Sequence, residues 1–153
     1  MANTISIRLI EKKDSEDLFA WRNDKNTRQM SKSSKRISLS EHVKWFSKCI
    51  SDKNVVIFMC ENNEGLKLGI VKFDIENDKA LVSINLSPNH RGKGLGRKCL
   101  SKSIKFLKSC QQEVNFIEAE IKTSNYSSLR SFETVGFECI KKQKNFLIYQ
   151  YTF

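Results

Sequence analysis

Six residues near the middle of the chain, Arg91-Gly92-Lys93-Gly94-Leu95-Gly96, have the types and spacing of an anion-binding loop. Glycine at every second position leaves the backbone without Cβ atoms, so that its N–H groups can close around a phosphate. Cations flank these glycines and add to the positive field; they are Arg91, Lys93, Arg97 and Lys98. The loop therefore predicts the binding of a phosphorylated ligand.

The elements on either side of this loop are those that an anion site needs. Residues 80–86 alternate in hydrophobicity as a half-buried strand does. Apolar residues at helical spacing, among them Leu95, Leu100 and Leu107, predict a helix from Arg97 to about Cys110. The positive end of the helix dipole would then face the loop. The run is not a P-loop, because no Gly-Lys-Ser/Thr follows the required gap. It also lacks the acidic residue about twenty positions on that a dinucleotide-binding fold requires.

Two motifs carry a resemblance to a known family. Arg91, Gly94 and Gly96 match the Arg/Gln-x-x-Gly-x-Gly pyrophosphate loop of the GNAT superfamily of N-acetyltransferases. A second block, from Asn125 through Phe132 to Gly136-Phe137, is similar to that family's second signature and follows in the same order. The resemblance implies an enzyme that uses acetyl-CoA and no metal. The cofactor-binding residues that it implies are Leu86, Ser87, Arg91, Gly92, Lys93, Gly94, Leu95, Gly96, Arg97, Asn125, Ser128 and Phe132.

The predicted order of elements, β-α-α-β-β-β-α-β-α-β-β, is that of the GNAT fold. The fold class is α/β (α+β), with a mixed central sheet flanked by helices, and the resemblance implies that two central parallel strands splay near the glycine loop. Lys25–Arg36 lacks periodicity and is predicted as a mobile loop or short helix. Ser38 and Glu41 have the spacing of a capping box at the start of a helix. The predicted strands include 4–10, 55–60, 67–76, 79–86, 116–122, 138–142 and 146–151.

Acetyl transfer to an amine needs a proton acceptor and a donor for the thioester oxygen. Glu118 and Glu120 share one face of their predicted strand, and Ser83 and Asn85 share one face of theirs. We assign Glu120 as the carboxylate that accepts or relays the proton, with Asn85 as a further catalytic candidate. A solvated or ion-paired glutamate is the alternative.

The family resemblance implies further roles near these strands. The backbone N–H of Leu86 would polarise the thioester. Phe132 stands where many members have a tyrosine that protonates the leaving thiolate. A phenyl ring has no proton to give, so that the thiolate leaves unassisted or a neighbour such as Tyr126 or a water substitutes.

The segments before and after residue 30 resemble those of acetyltransferases that act on nucleotide-linked amino sugars, of the pseudaminic- and legionaminic-acid type. The matching runs are Trp21-Arg22-Asn23-Asp24 and Glu41-His42 with Trp45-Phe46. The acceptor implied is the 4-amino group of a UDP-sugar, and the substrate-binding residues are Trp21, Arg22, Asn23 and His42. The alternative is that Trp21, Trp45 and Phe46 belong to the hydrophobic core. Two other functions stay open: an N-terminal acetyltransferase of ribosomal-protein type, and a non-catalytic acyl-CoA-binding module.

Composition bounds the remaining possibilities. The chain has 153 residues, a length that suits a single domain over 1–153. Its net charge is +10. Its lysines are spread along the chain, so nucleic-acid binding is not favoured. Five scattered cysteines without paired spacing predict reduced, buried thiols and no zinc site. The absence of a signal peptide and of a long apolar run predicts a cytoplasmic protein, monomeric or homodimeric, with no membrane contact.

Overall fold

A seven-stranded mixed sheet forms the centre of the molecule in a computed structural model that describes residues 4–153. The strand order is β1-β2-β3-β4-β5-β7-β6, and only the β4–β5 pair is parallel among these strands. The strands are β1 (Ser6–Leu9), β2 (Val55–Glu61), β3 (Lys67–Glu76), β4 (Lys79–Leu86), β5 (Phe116–Lys122), β6 (Glu138–Lys142) and β7 (Phe146–Thr152). The helices are α1 (Ser15–Arg22), α2 (Lys25–Met30), α3 (Leu39–Ser51), α4 (Leu95–Cys110) and α5 (Tyr126–Val135).

The predicted order of elements is confirmed except for one additional helix, α2, and the predicted separation of the two central strands is confirmed as well. Segment 25–36, predicted as a loop or short helix, begins with the six-residue helix α2. Helix α4 starts at Leu95, two residues earlier than its periodicity predicted, because Gly94 serves as its N-cap. The capping box of α3 is also present: Ser38 Oγ accepts from the Glu41 N–H at 3.1 Å, and Glu41 Oε2 accepts from the Ser38 N–H at 3.3 Å.

Helices cover both faces of the sheet. Strand β2 shows this most clearly, since successive side chains of a strand point to opposite faces. Phe58 and Cys60 belong to the larger apolar cluster, which contains the buried faces of α4 and α5. Ile57 and Met59 belong to a smaller cluster with Leu18, Trp21 and Phe46 of α1 and α3. The glycine loop and the segment around α2 are thus anchored by separate cores.

A buried carboxylate joins three parts of the chain. Asp14 has no exposed surface, and its carboxylate accepts two hydrogen bonds from Arg8 of β1, at 2.8 and 2.9 Å. Lys67 of β3 lies 2.8 Å from the same group. Burial by itself would raise the pKa of Asp14, but the hydrogen bonds from Arg8 and Lys67 outweigh it and hold this pKa well below its usual range.

The cysteine prediction is only partly right. All five thiols are free; Cys49, Cys60 and Cys99 are buried, as predicted for small apolar side chains, but Cys110 and Cys139 are exposed. Cys110 is the last residue of α4 and Cys139 lies on the edge strand β6, so neither faces the core. Within residues 4–153 no helix is long and apolar enough to cross a membrane. The same residues contain no cluster of His, Cys, Asp and Glu able to hold a metal ion.

Candidate active site

The sheet opens between β4 and β5. Their parallel pairing ends at Leu81 with Glu118. Strand β4 nevertheless stays paired with β3 as far as Leu86, and β5 stays paired with β7 as far as Lys122. The two central strands therefore diverge, and a gap separates residues 82–86 from the second half of β5.

The glycine loop leads from the end of β4 into α4. Gly92 and Gly94 have left-handed backbones, with φ of 75° and 73°, in which any side chain is strained. No side chain among residues 4–153 caps this helix, so its first N–H groups stay available to a ligand. Gly96 lies in that first turn, and a Cβ there would meet Leu86 Cδ1 at 3.6 Å, an ordinary contact distance. The loop is therefore an open main-chain surface at a positive helix end.

A cleft of about 340 Å³ lies beside this loop, and we call it the loop cleft. Eight of the residues predicted from the sequence line it: Asn85, Leu86, Arg91, Gly92, Gly96, Asn125, Ser128 and Phe132. Lys93, Gly94 and Arg97 belong to the loop and helix beside the cleft without lining it. Leu95 packs in the core, and the N–H of the buried Ser87 donates to the Leu68 carbonyl at 2.8 Å. Seven of the twelve predicted cofactor residues thus line one cleft, and the other five do not line it.

Arg91 joins the loop to α2 rather than pointing freely into the cleft. Its guanidinium lies 2.7 Å from the Asp24 carboxylate and also donates to Thr27 Oγ1. This hydrogen bond lowers the pKa of Asp24 below its ordinary value. Thr27 Oγ1 in turn donates to Asn85 Oδ1 at 3.3 Å. One polar chain therefore connects the glycine loop, α2 and the end of β4.

A second cavity, of about 320 Å³, lies where β4 and β5 have separated, and we call it the gap cavity. It shares six lining residues with the loop cleft: Met30, Ser31, Ile84, Asn125, Ser128 and Phe132. Glu120 of β5 and Ser83 of β4 line it from the two sides of the gap. The two cavities therefore adjoin each other at these six residues.

The two glutamates of β5 have different partners. Glu118 accepts from Gln150 Nε2 at 3.4 Å and lies 3.6 Å from Lys79 Nζ, at the paired end of the strand. Glu120 lies past the last β4–β5 pair and its side chain is 31 % exposed. It forms an ion pair with Lys32, from the segment after α2. Of the two carboxylates, only that of Glu120 lines the gap cavity.

Helix α5 contributes Ser128 and Phe132 to the lining of both cavities. Asn125 is its N-cap: the side-chain oxygen Oδ1 accepts from the Ser128 N–H at 3.3 Å and so stabilises the start of the helix. Phe132 is only 3 % exposed and packs edge-on against Phe137, with ring centroids 4.9 Å apart. Its ring is thus held rigidly at the junction of the two cavities.

Asn23 fixes both ends of the segment over the cavities. Its amide donates to the Ile37 carbonyl at 2.9 Å and accepts from the Ile37 N–H at 2.8 Å. Arg28 holds the middle of the same segment by donating to the carbonyls of Asn23 and Ser34, both at 3.1 Å. Asn23, predicted as a substrate residue, is therefore buried and positions segment 24–36 without lining either cavity.

The other predicted substrate residues lie in the packing of α1 and α3. Trp21 is 8 % exposed within the smaller cluster, and the Arg22 guanidinium lies 4.8 Å from the Trp45 ring centroid. Burial lowers the pKa of Arg22. His42 is fully buried; its Nε2 donates to the Ser15 carbonyl at 2.9 Å, and burial lowers the pKa of the imidazole. The structure brings none of these three to either cavity.

Gly69 supports the site, although sequence reasoning did not single it out. It faces Leu86 across the β3–β4 ladder. A Cβ at Gly69 would lie 2.7 Å from the Asn85 carbonyl oxygen and 2.8 Å from Leu86 Cα, closer than real Cβ atoms come. Only glycine therefore lets β3 approach the end of β4. An isolated glycine inside a strand pattern, Leu68-Gly69-Ile70, was the available signal.

The fold and this site define an acyltransferase class, and comparison with known proteins agrees. Residues 4–138 match the family model for the acetyltransferase (GNAT) domain. The chain therefore belongs to the GNAT family, whose domain is an N-acyltransferase domain. This confirms the family resemblance and the predicted fold.

Two curated relatives match by sequence. An uncharacterized protein of Methanocaldococcus jannaschii is 29% identical over 150 residues, which cover 95% of this chain and 31% of the relative. The L-amino acid N-acyltransferase MnaT of Escherichia coli is 40% identical over 55 residues, which cover 36% of this chain and 31% of that protein. The matched part thus spans about a third of the length of each relative.

Solved structures share the fold over nearly the whole chain. A domain from Methanocaldococcus jannaschii superposes with a TM-score of 0.87 at 28% identity, covering 99% of this chain and 100% of that one. Spermidine N-acetyltransferase from Vibrio cholerae, in complex with CoA and spermine, has a TM-score of 0.82 at 18% identity, covering 95% and 92%. The N-acetyltransferase PseH of Campylobacter jejuni has a TM-score of 0.73 at 20% identity, covering 97% of both chains.

The residues at the loop cleft fit acetyl-CoA. Left-handed Gly92 and Gly94 and the uncapped start of α4 provide main-chain donors for a diphosphate. Lys93 and Lys98 flank this position with cations that have no carboxylate partner among the described residues. The gap between β4 and β5 begins after Leu81, and Glu120 lines the cavity in that gap.

Proposed function

We propose that this chain transfers an acetyl group from acetyl-CoA to a primary amine of a small acceptor, and that the acceptor is a UDP-linked amino sugar. The observation that carries the proposal is that the loop cleft and the gap cavity share six lining residues where β4 and β5 separate. A donor held at the glycine loop and an acceptor beside Glu120 would then lie in neighbouring cavities. This arrangement supplies proximity, the first requirement of a two-substrate transfer.

On the donor side, main-chain groups would do most of the binding. The N–H groups of residues 92–97 would hold the diphosphate, and Lys93, Arg97 and Lys98 would add positive field. Acetyl-CoA, when bound, supplies an acetyl group activated as a thioester. The end of β4 would hold that thioester, with the Leu86 N–H as donor to its oxygen and Asn85 fixed beside it by Thr27.

On the acceptor side, Glu120 would take the proton that the amine must lose. Its carboxylate lines the gap cavity and is partly exposed, so that a water can also relay the proton. Phe132 would pack against the donor's arm and give no proton, because its ring carries none and is buried against Phe137. In this proposal the thiolate therefore leaves without acid assistance from residue 132.

Charge supports an anionic acceptor. Residues 25–40 contain five cations and no carboxylate, and Met30, Ser31 and Lys32 of this segment line the gap cavity. Lys25, Lys35 and Arg36 are exposed and have no ion pair among the described residues, so they are available to phosphates. A polycationic acceptor would be repelled by this segment. The sequence resemblance to acetyltransferases of nucleotide-linked amino sugars points to the same acceptor class.

Release of free thiol from acetyl-CoA tests the proposal. Four parallel reactions contain a UDP-linked 4-amino sugar, spermine, a basic peptide with a free N-terminus, or no acceptor. We expect turnover above the acceptor-free rate with the nucleotide sugar alone. Turnover with the peptide or with spermine would show that the acceptor belongs to that class and is not a nucleotide sugar. Binding of acetyl-CoA without turnover in any reaction would favour a non-catalytic module.

A further inference from the structure

A side chain of the protein itself reaches into the gap cavity. Lys32 lies in the exposed segment after α2, and its side chain is 67 % exposed. Its ammonium nevertheless pairs with the Glu120 carboxylate and lies 5.8 Å from the ring centroid of Phe146. Lys32, Glu120 and Phe146 all line the gap cavity.

The partners of the neighbouring carboxylates make this contact distinctive. Asp74, the other carboxylate that lines the cavity, is paired at 2.6 Å with Lys72 of the same strand. Glu118 is paired with Lys79 at the adjoining end of β4. Among the carboxylates of residues 4–153 on these strands, Glu120 is the one whose cation comes from outside the sheet.

A carboxylate beside an aromatic ring is the combination that recognises an ammonium group. The carboxylate provides a charge-assisted hydrogen bond, and the ring presents its negative face to the cation. Here Glu120 and Phe146 come from paired strands, β5 and β7, and Phe146 pairs with Lys122, so that it is a diagonal neighbour of Glu120. The ammonium of Lys32 therefore marks a position that suits any primary amine.

We propose that Glu120 and Phe146 form a binding site for a primary ammonium group, and that Lys32 occupies this site as a tethered internal ligand which the acceptor amine displaces. The inference rests on the proposed function, because it identifies the acceptor's amine with the group bound at Glu120. Segment 24–36, fixed at its ends by Asn23, sets the reach of the tether.

The exposure of the pair makes displacement feasible. Ion pairs between exposed side chains change an equilibrium constant by about fivefold at most, because water and salt screen them. An acceptor that adds its own phosphate contacts would therefore outcompete Lys32. Removing the lysine should improve the binding of a simple amine by no more than about the same factor.

Carbodiimide coupling tests the contact directly in the protein without acetyl-CoA. The reagent activates a carboxylate, and a primary amine in contact with it then forms an amide with loss of the reagent as a urea. We expect peptide mass spectrometry to find a Lys32–Glu120 cross-link and no Lys35–Glu120 cross-link, since Lys35 does not line the cavity. Added ethanolamine should lower the yield of this cross-link and become coupled to Glu120 instead.

Three variants sharpen the result. Lys32→Met should raise the coupling of ethanolamine to Glu120 by up to about fivefold, and Phe146→Leu should lower it. Lys53→Arg, a change at an exposed lysine that lines neither cavity, should leave all yields at the wild-type level. N-acetylethanolamine, which has no ammonium, should not compete with Lys32.

Absence of the Lys32–Glu120 cross-link, or a yield that ethanolamine does not lower, would overturn the inference. Because the coupling needs no acetyl-CoA, its failure is distinguishable from failure of the proposed function, which is measured as thiol release. A protein that acetylates the nucleotide sugar but shows no cross-link would keep the function and lose the ammonium site.

Discussion

The guanidinium of Arg91 lies 2.7 Å from the carboxylate of Asp24, a residue 67 positions away in the chain. Asp24 is also the N-cap of α2, where it accepts from the Thr27 N–H at 3.2 Å. One carboxylate therefore both starts α2 and connects it to the glycine loop. This contact fixes the position of α2 relative to the glycine loop.

Asp24→Asn should loosen α2. The variant keeps an oxygen for the N-cap but loses the charge pair, which at this partial exposure is worth about 1 kcal/mol. We expect faster amide hydrogen exchange in residues 25–30 and little change in α4. Asp78→Asn, in the turn between β3 and β4, is the control. Unchanged exchange in α2 would mean that Arg91 does not hold this helix.

Gly94→Ala should weaken acetyl-CoA binding by about tenfold or more, because a side chain at this left-handed residue disturbs the main-chain cradle. Gly65→Ala is a matched control, since Gly65 is also left-handed, with φ of 78°, and lies in the β2–β3 turn. Both variants should lose about 1 kcal/mol of stability through backbone strain. Calorimetric titration should show weaker acetyl-CoA binding for Gly94→Ala than for Gly65→Ala and the wild type. Equal affinities would mean that the glycine loop does not bind acetyl-CoA.

Glu120→Gln should lower turnover by about a hundredfold or more while changing acetyl-CoA affinity little, as expected for loss of a proton acceptor. Glu118→Gln is the control on the same strand, since Glu118 does not line the gap cavity. Steady-state thiol release and binding measured on the same preparations separate the two effects. Wild-type turnover in Glu120→Gln would return this carboxylate to the role of an ordinary ion-paired side chain.

Phe132→Tyr should change turnover by less than tenfold if the thiolate leaves without acid assistance. The added hydroxyl would lie in a site only 3 % exposed, so we expect a stability loss of about 1–2 kcal/mol. Thermal unfolding measures that loss, and Phe132→Leu serves as a second variant without a hydroxyl. A rate increase above tenfold would show that protonation of the thiolate limits the wild-type enzyme.

Asp14→Asn should destabilise the fold by about 2–4 kcal/mol at neutral pH, because Arg8 and Lys67 lose a fully buried partner. The pKa of Asp14 is lowered in the folded state, so its contribution is present above the unfolded pKa of about 3.9 and is lost as the pH falls further. Denaturant unfolding from pH 7 to pH 2 should show a smaller acid-induced loss in the variant than in Asp17→Asn, where the carboxylate is 45 % exposed.

Local patterns in the sequence predicted the elements and most of the loop cleft. The alternation of 79–86, the glycines at 92, 94 and 96, and the capping box at Ser38 each depend on neighbours within a few positions, so they can be recognised without the fold. The long-range contacts could not be predicted. Arg91 meets Asp24, Glu120 meets Lys32 and Gly69 meets Leu86 only after the strands have been arranged.

The substrate residues illustrate the same limit. Trp21, Arg22 and His42 match the motif of acetyltransferases that act on nucleotide-linked amino sugars. These residue types are as suitable for packing between helices as for binding a nucleotide. Their positions on α1 and α3, facing the smaller cluster, depend on which helix face meets the sheet. Lys32, in a stretch without periodicity, offered no signal of its own, since its importance comes from Glu120 and Phe146 across the gap.

The early end of the β4–β5 ladder has a mechanical consequence. Beyond Leu81 no ladder hydrogen bonds join β4 to β5. A ligand between the two strands would therefore make contacts where the ladder makes none. A ligand in that opening should therefore restrict the movement of β4 relative to β5.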